Sequence, residues 1–297
     1  MLAIVIPYYK LTFFKETLDS LKNQTDKRFK VYIGDDESSE NLYSLLGDYK
    51  GKFKYIYHRF KKNLGSTSLV QQWGRCIKMI GDEKWIMILG DDDVLEKNVI
   101  KFFYESLLDI EKNKISVVRF ATRKINKKGI CTSNVYYHPK IELATDFLFR
   151  DTRSSLSEYV FNRKQVNSIG FKDFPLGWYS DILAVLEFSN FQKIFTINNA
   201  IVDIRISNLS ISGNQNNLKL KFKSKFEFYY YLLNKKVKYF TFTQANILKE
   251  RLINCYLNDK RNFILFLKIT KFYITNFLIK EYILFVDKII WSLINKK

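Results

Sequence analysis

Lys84-Trp85-Ile86-Met87-Ile88-Leu89-Gly90-Asp91-Asp92-Asp93-Val94-Leu95 is the stretch on which the fold turns. Residues 84–89 form a short apolar run of strand length, and the run ends at a glycine and three consecutive carboxylates. Three adjacent carboxylates repel one another and are costly to hold ionised without a cation. Mg²⁺ or Mn²⁺ accepts such hard oxygen ligands and bridges readily to phosphate oxygens. A simpler reading is a helix N-cap, for which one Asp suffices. Three exceed that need, and the two readings are compatible.

Working outward, residues 1–95 alternate strands and helices. Strands are expected at 2–7, 29–34 and 53–58, with helices at 13–23, 41–49 and 68–80. Phe14, Leu18 and Leu21 share one face of the first helix, and Leu69, Trp73 and Ile80 share one face of the third. Strands and helices alternating at this spacing imply a parallel, doubly wound sheet, whose ligands bind beyond the carboxyl ends of the strands. Asp35-Asp36 ends the second strand as Asp91-Asp92-Asp93 ends the fourth. A carboxylate there can accept a uracil imide N–H or a ribose hydroxyl, although Asp35-Asp36-Glu37-Ser38-Ser39 also suits an Asx turn.

From 96 to 213 the pattern loosens. A helix at 98–113 precedes a strand at 115–122 and a turn at Asn126-Lys127-Lys128-Gly129, where glycine supplies positive φ. Further strands are expected at 158–161, 193–197 and 201–206, with one helix ending at Gly170 and another starting near Asp181. The polar stretch 207–217 reads as a boundary. Two domains are therefore expected: an α/β domain over 1–213, with a nucleotide-binding half (1–95) and an acceptor half (96–213), and a helical extension over 214–297.

The chain has 297 residues, 47% hydrophobic and 27% charged, enough for a packed core. Cys76, Cys131 and Cys255 are far apart and form no CxxC pair, which argues against a disulfide framework and for a reducing compartment. Residues 1–7 read as a buried strand and not as a leader, and no uncharged run approaches the ~18–20 residues of a membrane span. The expectation is a cytoplasmic protein, soluble or peripheral on the inner face of the cell membrane. The net charge of +19 calls for an anionic partner, although a coding bias toward Lys, Asn, Ile, Phe and Tyr accounts for part of it.

Five segments in order resemble the family-2 glycosyltransferases of the GT-A fold. They are Ile4-Val5-Ile6-Pro7-Tyr8-Tyr9, Leu18-Asp19-Ser20-Leu21-Lys22-Asn23-Gln24-Thr25, Val31-Tyr32-Ile33-Gly34-Asp35-Asp36-Glu37-Ser38, Asn63-Leu64-Gly65 and Asp91-Asp92-Asp93. The likeness covers about residues 1–212. It implies a metal-dependent, inverting transfer of a sugar from a nucleotide diphosphate donor, UDP-sugar favoured, to an acceptor hydroxyl. Bacterial surface polysaccharide, lipopolysaccharide or capsule assembly is the implied setting, with a saccharide or lipid-linked saccharide as acceptor. It also implies that Pro7 and Tyr9 line the base, that Asp35 contacts the uracil-like edge with Asp36 nearby, and that Asn63 and Gly65 belong to the nucleotide site. Asp92 and Asp93 would hold Mn²⁺ or Mg²⁺, with Asp91 toward the sugar or the metal. Gly90 stands where many relatives have the first Asp of the motif, so the division of roles among the three Asp residues stays open. In Gly177-Trp178-Tyr179-Ser180-Asp181-Ile182-Leu183, Asp181 matches the family's catalytic base, while Ser180 replaces the Glu that usually precedes it. Asp181 also suits a plain first-turn position on a helix. Val202-Asp203-Ile204-Arg205-Ile206-Ser207-Asn208-Leu209-Ser210-Ile211-Ser212 resembles a later family segment in which Arg205 would pair with the diphosphate. Ser207 stands where some relatives have a metal-binding His. His58 and His138 are isolated and read as structural.

Two other classes fit the sequence less well. A nucleotidyltransferase needs a Gly-rich loop after its first strand, and Pro7-Tyr8-Tyr9-Lys10 has none. A non-enzymatic basic protein that binds nucleic acid or membrane would explain the charge, but not two acidic clusters on one sheet edge, which argue against a nucleic-acid partner. The tail has a broad apolar helical face, including Phe263, Leu267, Ile274, Phe277, Ile283 and Ile290, beside Lys268, Lys271, Lys280 and Lys288. Packing on the core, a homodimer interface and contact with anionic lipid all fit this pattern.

Overall fold

The computed structural model describes residues 1–150, 153–208 and 217–294. It divides into two compact units, Met1–Asn217 and Leu218–Lys297. Most of the expected 207–217 boundary, including Leu209-Ser210-Ile211-Ser212, lies outside the described residues.

The first unit is built on one mixed sheet of nine strands: β1 (Leu2–Tyr8), β2 (Phe29–Asp35), β3 (Lys54–Arg59), β4 (Trp85–Ile88), β5 (Val94–Leu95), β6 (Val117–Ile125), β7 (Ile141–Leu143), β8 (Tyr159–Asn162) and β9 (Lys193–Arg205). Their order is β3-β2-β1-β4-β8-β6-β9-β5, with β7 paired to β9. The first four strands are mutually parallel. β8 runs antiparallel to both β4 and β6. The near-continuous apolar run of β1 follows from this position, since a strand covered on both faces has no side that favours polar residues. All of its residues are buried except half-buried Pro7.

Register then brings the acidic segments together. Tyr8 lies opposite Asp35, and Val5 lies opposite Ile88. The Asp36 N–H donates to the Tyr8 carbonyl at 2.9 Å, and the Leu89 N–H donates to the Val5 carbonyl at 2.9 Å. β1, β2 and β4 therefore release their chains at one edge of the sheet. Helix Phe14–Lys22 buries Phe14, Leu18 and Leu21 against it. Helix Leu69–Ile77 is capped by Ser68, whose Oγ accepts from the Gln71 N–H at 3.1 Å, and it buries Val70, Trp73 and Cys76.

Several expected boundaries move. The helix expected over 41–49 contracts to Tyr43–Gly47. The helix expected over 98–113 breaks at Ser106, whose N–H is shared between the Phe102 and Phe103 carbonyls. The two strands expected at 193–197 and 201–206 are one strand, β9, with a register shift where Phe120 pairs Ile197 and Ala121 pairs Ile201. The intervening Asn198 acts as a substitute for backbone pairing: its Oδ1 accepts from the His138 N–H at 3.2 Å and its Nδ2 donates to the His138 carbonyl at 2.8 Å. β5 and β7 are two and three residues long, too short for a period to reveal. The turn at Asn126–Gly129 forms as expected, with Gly129 at φ +74° and its N–H on the Asn126 carbonyl at 3.0 Å.

The second unit is helical, with α-helices at Leu218–Tyr231, Phe242–Leu257, Phe263–Thr275 and Ile279–Ile294. Thr241 and Gln244 form a capping box at the second of these. Among the described residues, no helix is long and apolar enough to cross a membrane.

At Gly34 in β2, helix Leu69–Ile77 lies too close to the sheet to leave room for a side chain. A Cβ there would lie 2.2 Å from Cys76 Sγ and 3.0 Å from the Phe60 ring. Gly34→Ala should destabilise the fold by about 1–3 kcal/mol in urea denaturation, and adding Cys76→Ala should recover part of the loss.

Candidate active site

A cavity of about 910 Å³ opens at this strand edge, lined by Pro7, Tyr9, Asp36, Asn63, Gly65, Asp91, Asp92, Asp93, Asp181 and Arg205 among others. Ten of the eleven residues singled out from the sequence thus meet in one cavity. Asp35 does not line it. It is fully buried, its Oδ1 accepting from the Ser38 N–H at 2.8 Å and its Oδ2 from the Tyr57 hydroxyl at 2.6 Å. Asp36 is the member of the pair at the cavity wall. Its carboxylate accepts from the Leu64 and Gly65 N–H groups, each at 2.8 Å, and from Arg75. A Cβ at Gly65 would lie 2.5 Å from Asp36 Oδ2, so glycine is required for the loop to close on this carboxylate. Arg75 also donates to the Lys62 carbonyl at 2.8 Å and lies 3.9 Å over the Phe60 ring, which makes it a support for the loop.

The three Asp residues after β4 have different surroundings. Asp91 Oδ2 accepts from the Tyr9 and Lys10 N–H groups at 2.9 and 3.0 Å, fixing the loop that follows β1. Asp93 has both oxygens engaged, Oδ1 by the Arg205 N–H at 2.9 Å and Oδ2 by the Ser157 hydroxyl at 2.5 Å. Among the described residues, no other residue donates a hydrogen bond to the Asp92 carboxylate. Burial, then the charges of Asp93 and Asp91, push Asp92 up to about 8, against an opposing pull from Arg205. Gly90 lets the chain fold back here, since a Cβ would meet Asp93 Oδ2 at 2.9 Å and Asp92 Oδ1 at 3.1 Å.

Arg205 is 1% exposed and its guanidinium is fully committed to the protein. Nε donates to the Asp92 carbonyl and Nη1 to the Asn126 carbonyl, each at 2.9 Å, and Nη2 donates to Glu16 Oε2 at 2.5 Å. Each nitrogen thus has a protein acceptor, so Arg205 braces the acidic turn from behind. The cations Lys10, Lys124 and Arg153 also line the cavity.

Asp181 stands in the first turn of helix Ser180–Phe188, after a loop with three left-handed residues: Leu176 (φ +62°), Gly177 (φ +63°) and Tyr179 (φ +70°). For Leu and Tyr such conformations cost ~1–3 kcal/mol each and are held by surrounding contacts. The contacts are Trp73, whose ring a Cβ at Gly177 would meet at 2.9 Å, and Ser180, whose Oγ accepts from the Phe174 N–H at 3.3 Å. Ser180 is fully buried and closes the loop on itself. Burial raises the Asp181 carboxyl above its ordinary value, opposed by Arg153 and by a hydrogen bond from Ser154.

Sequence reasoning missed Ser157, Arg153, Lys124, Trp73 and Trp178. Trp178 lies within the segment that carries Asp181, which is the signal available for it; no local motif marks the other four, which the fold brings to the cavity. His138 is buried, with Nδ1 2.7 Å from Arg150, and is pushed down to about 3 by burial and by the charges of Arg119, Arg150 and Arg153. His58 packs edge-on against Phe60.

Among the described residues, no three His, Cys, Asp or Glu side chains are grouped to hold a metal ion. The donor set suits a cation held by one or two carboxylates and completed by substrate phosphates and water, the usual habit of Mg²⁺.

The defining pattern of "Glycosyl transferase family 2" matches residues 3–163, from β1 through the acidic turn to the start of the helix after β8. The chain belongs to glycosyl transferase family 2. An uncharacterized glycosyltransferase of Rickettsia felis is 32% identical over 136 residues, 45% of this chain and 21% of the relative. One from Rickettsia conorii is 31% identical over 137 residues, 46% of this chain and 21% of that protein. The chain therefore spans about a fifth of the length of these curated relatives. Among solved structures, S. aureus TarS 1-349 in complex with UDP-GlcNAc has a TM-score of 0.65 at 13% identity, covering 86% of this chain and 72% of that one. GalNAc-T7 with UDP, GalNAc and Mn²⁺ has a TM-score of 0.51 at 11% identity, covering 84% of this chain and 54% of that one. At these identities the likeness shows the fold, and the fold of this family-2 chain is GT-A-like.

The raised Asp92 pKa has a stability consequence. The folded state holds a proton that the unfolded state has lost between the ordinary value of 3.8 and about 8, so stability falls as pH rises through that window. Asp92→Asn should therefore raise the metal-free Tm at pH 8 by ~2–4 °C for each 1 kcal/mol relieved, and by much less at pH 4. Scanning calorimetry at the two pH values in EDTA tests this.

Proposed function

We propose that the protein transfers a sugar with inversion from a nucleotide diphosphate donor, a UDP-sugar in the favoured reading, to a hydroxyl of a saccharide or lipid-linked saccharide in surface polysaccharide assembly. The observation that carries this reading is the convergence of Pro7, Tyr9, Asp36, Asn63, Gly65, Asp91, Asp92, Asp93 and Asp181 on one cavity at the carboxyl ends of parallel strands. Family membership supports the reaction class, and the UDP and UDP-GlcNAc in the TarS structures support the donor class.

In this reading Pro7 and Tyr9 form the apolar wall for the base, and Asp36, with the loop it holds at Leu64 and Gly65, faces the nucleoside. Asp92 is the principal ligand for Mn²⁺ or Mg²⁺, with the Asp91 oxygen that the β1 loop leaves over, and Asp93 acts mainly as a brace. A bound divalent cation supplies charge neutralisation for the departing diphosphate. Asp181 takes the proton from the acceptor hydroxyl as its oxygen bonds to the anomeric carbon. The bond from that carbon to the diphosphate oxygen breaks, and the nucleoside diphosphate leaves with the electron pair. A raised pKa strengthens Asp181 as a base but requires it to be ionised first, so kcat/KM should rise with pH through a value above the ordinary carboxylate range. Arg205 acts through position, holding the Asp92 carbonyl and the Asp93 turn in place.

Two measurements test the proposal. Calorimetric titration of UDP with Mn²⁺ should show metal-dependent binding that Asp92→Ala loses. Silence with UDP, GDP and dTDP alike would remove the donor reading and leave a binding role for the basic tail. With a turned-over UDP-sugar in hand, Asp181→Asn should lower kcat by about 10²–10⁴-fold while the UDP affinity stays within about twofold. An unchanged kcat would assign the base elsewhere.

A further inference from the structure

The second unit carries an excess of charge and of apolar surface that its own packing does not use. Residues 218–297 hold 17 Lys or Arg against 5 Asp or Glu, so most of the chain's +19 resides in its last 80 residues. Helix Phe263–Thr275 has two apolar stripes. Leu265, Ile269, Phe272 and Tyr273 are buried, whereas Phe263, Ile264, Leu267 and Ile274 are exposed on the other side of the helix. Phe277, which ends this helix at φ +56°, is 89% exposed. Helix Ile279–Ile294 buries only Phe285, and Ile279, Ile283, Ile290 and Ile294, spaced four, seven and four residues apart, form an exposed line on one face. Trp291 is 68% exposed on the same helix. A helix that is apolar on a second face has a second partner.

We infer that this unit docks on an anionic lipid surface, with the exposed Phe, Ile and Trp side chains entering the headgroup boundary and the lysines facing lipid phosphates. The chemistry favours lipid over the other candidate occupants. A second copy across a two-fold axis would bring the same strongly positive surface against itself. Nucleic acid would satisfy the lysines but leave aliphatic Ile and Leu in water. An anionic bilayer takes both at once, through apolar insertion and through the attraction of basic residues to acidic headgroups. No described helix can cross the bilayer, so the contact is interfacial. A lipid-linked acceptor would be presented at such a surface, but the inference does not depend on the reaction.

The test is flotation of the full chain with vesicles of phosphatidylcholine alone or with about one third phosphatidylglycerol, the anionic fraction that attracts polybasic surfaces. The wild type should float with the anionic vesicles and remain behind with the neutral ones. Raising the salt should weaken flotation without abolishing it, because the apolar contribution is not screened. Phe277→Asp combined with Ile283→Asp and Ile290→Asp should reduce the bound fraction at least tenfold. Circular dichroism and the UDP titration, read on the same protein, should stay unchanged, which separates failure here from failure of the donor reading. Flotation that is absent, or that the three substitutions leave intact, would overturn the inference. So would a dimer, seen by light scattering, that the same substitutions dissolve.

Discussion

Three neighbouring carboxylates cannot share one turn in a buried sheet edge unless their charge is distributed among separate partners, and the rest of the first unit is organised around meeting that constraint. Asp91 faces the two N–H groups of the loop after β1, and Asp93 faces the end of β9 and the Ser157 turn. These contacts supply four hydrogen-bond donors to two of the three groups without spending a side-chain cation, although burial still raises both carboxyls above their ordinary value. Asp92 shares the raised pKa and, among the described residues, has no donor from another residue, the condition in which a carboxylate favours a proton or a divalent ion. The same contacts join chain segments 64 to 112 residues apart, so the acidic turn is a structural junction as well as a site.

Arg205 completes the junction from behind. Its buried guanidinium contacts the Asp92 carbonyl, the Asn126 turn and Glu16, and lies 4.4 Å over the Phe13 ring. Removing one partner of such a group leaves the others buried and unsatisfied, which is why networks of this kind behave as units. Polar satisfaction is less complete elsewhere. Arg119 and Glu158, both fully buried, each retain side-chain atoms without a hydrogen-bond partner among the described residues.

The wall that carries Asp181 is held by strain and packing. A loop with Leu176, Gly177 and Tyr179 in left-handed conformations rests on the Trp73 ring, and that ring belongs to the helix that also covers Gly34. The first strands and the second half of the domain are thereby coupled through one indole. Displacing Trp73 would move both the nucleotide side and the base side of the cavity.

Much of this was legible in the sequence for a physical reason. Strand-length runs separated by helical periods, two of them ending in acidic residues, leave few arrangements other than a parallel sheet with those acidic ends on one edge, and β1 to β4 are parallel with the ends of β2 and β4 on that edge. Asp91 to Asp93 could be named because adjacent carboxylates are costly to bury without partners, whereas Asp181 could be named only by its resemblance to the family's base segment. The sequence could not show that β9 is one strand, because the three-residue slip at Ile197 is repaired by the side chain of Asn198 and not by any local signal. Nor could it show which Asp of each cluster faces the cavity. Asp35 and Asp36 are chemically identical and adjacent, and only the Tyr57 hydroxyl and the Gly65 loop, brought in by the fold, separate them. The sequence by itself determined the fold class, the edge and the kinds of group at the site. Tertiary structure decided each group's partner, because hydrogen-bond partners more than twenty residues apart are set by packing and register, which no local pattern encodes.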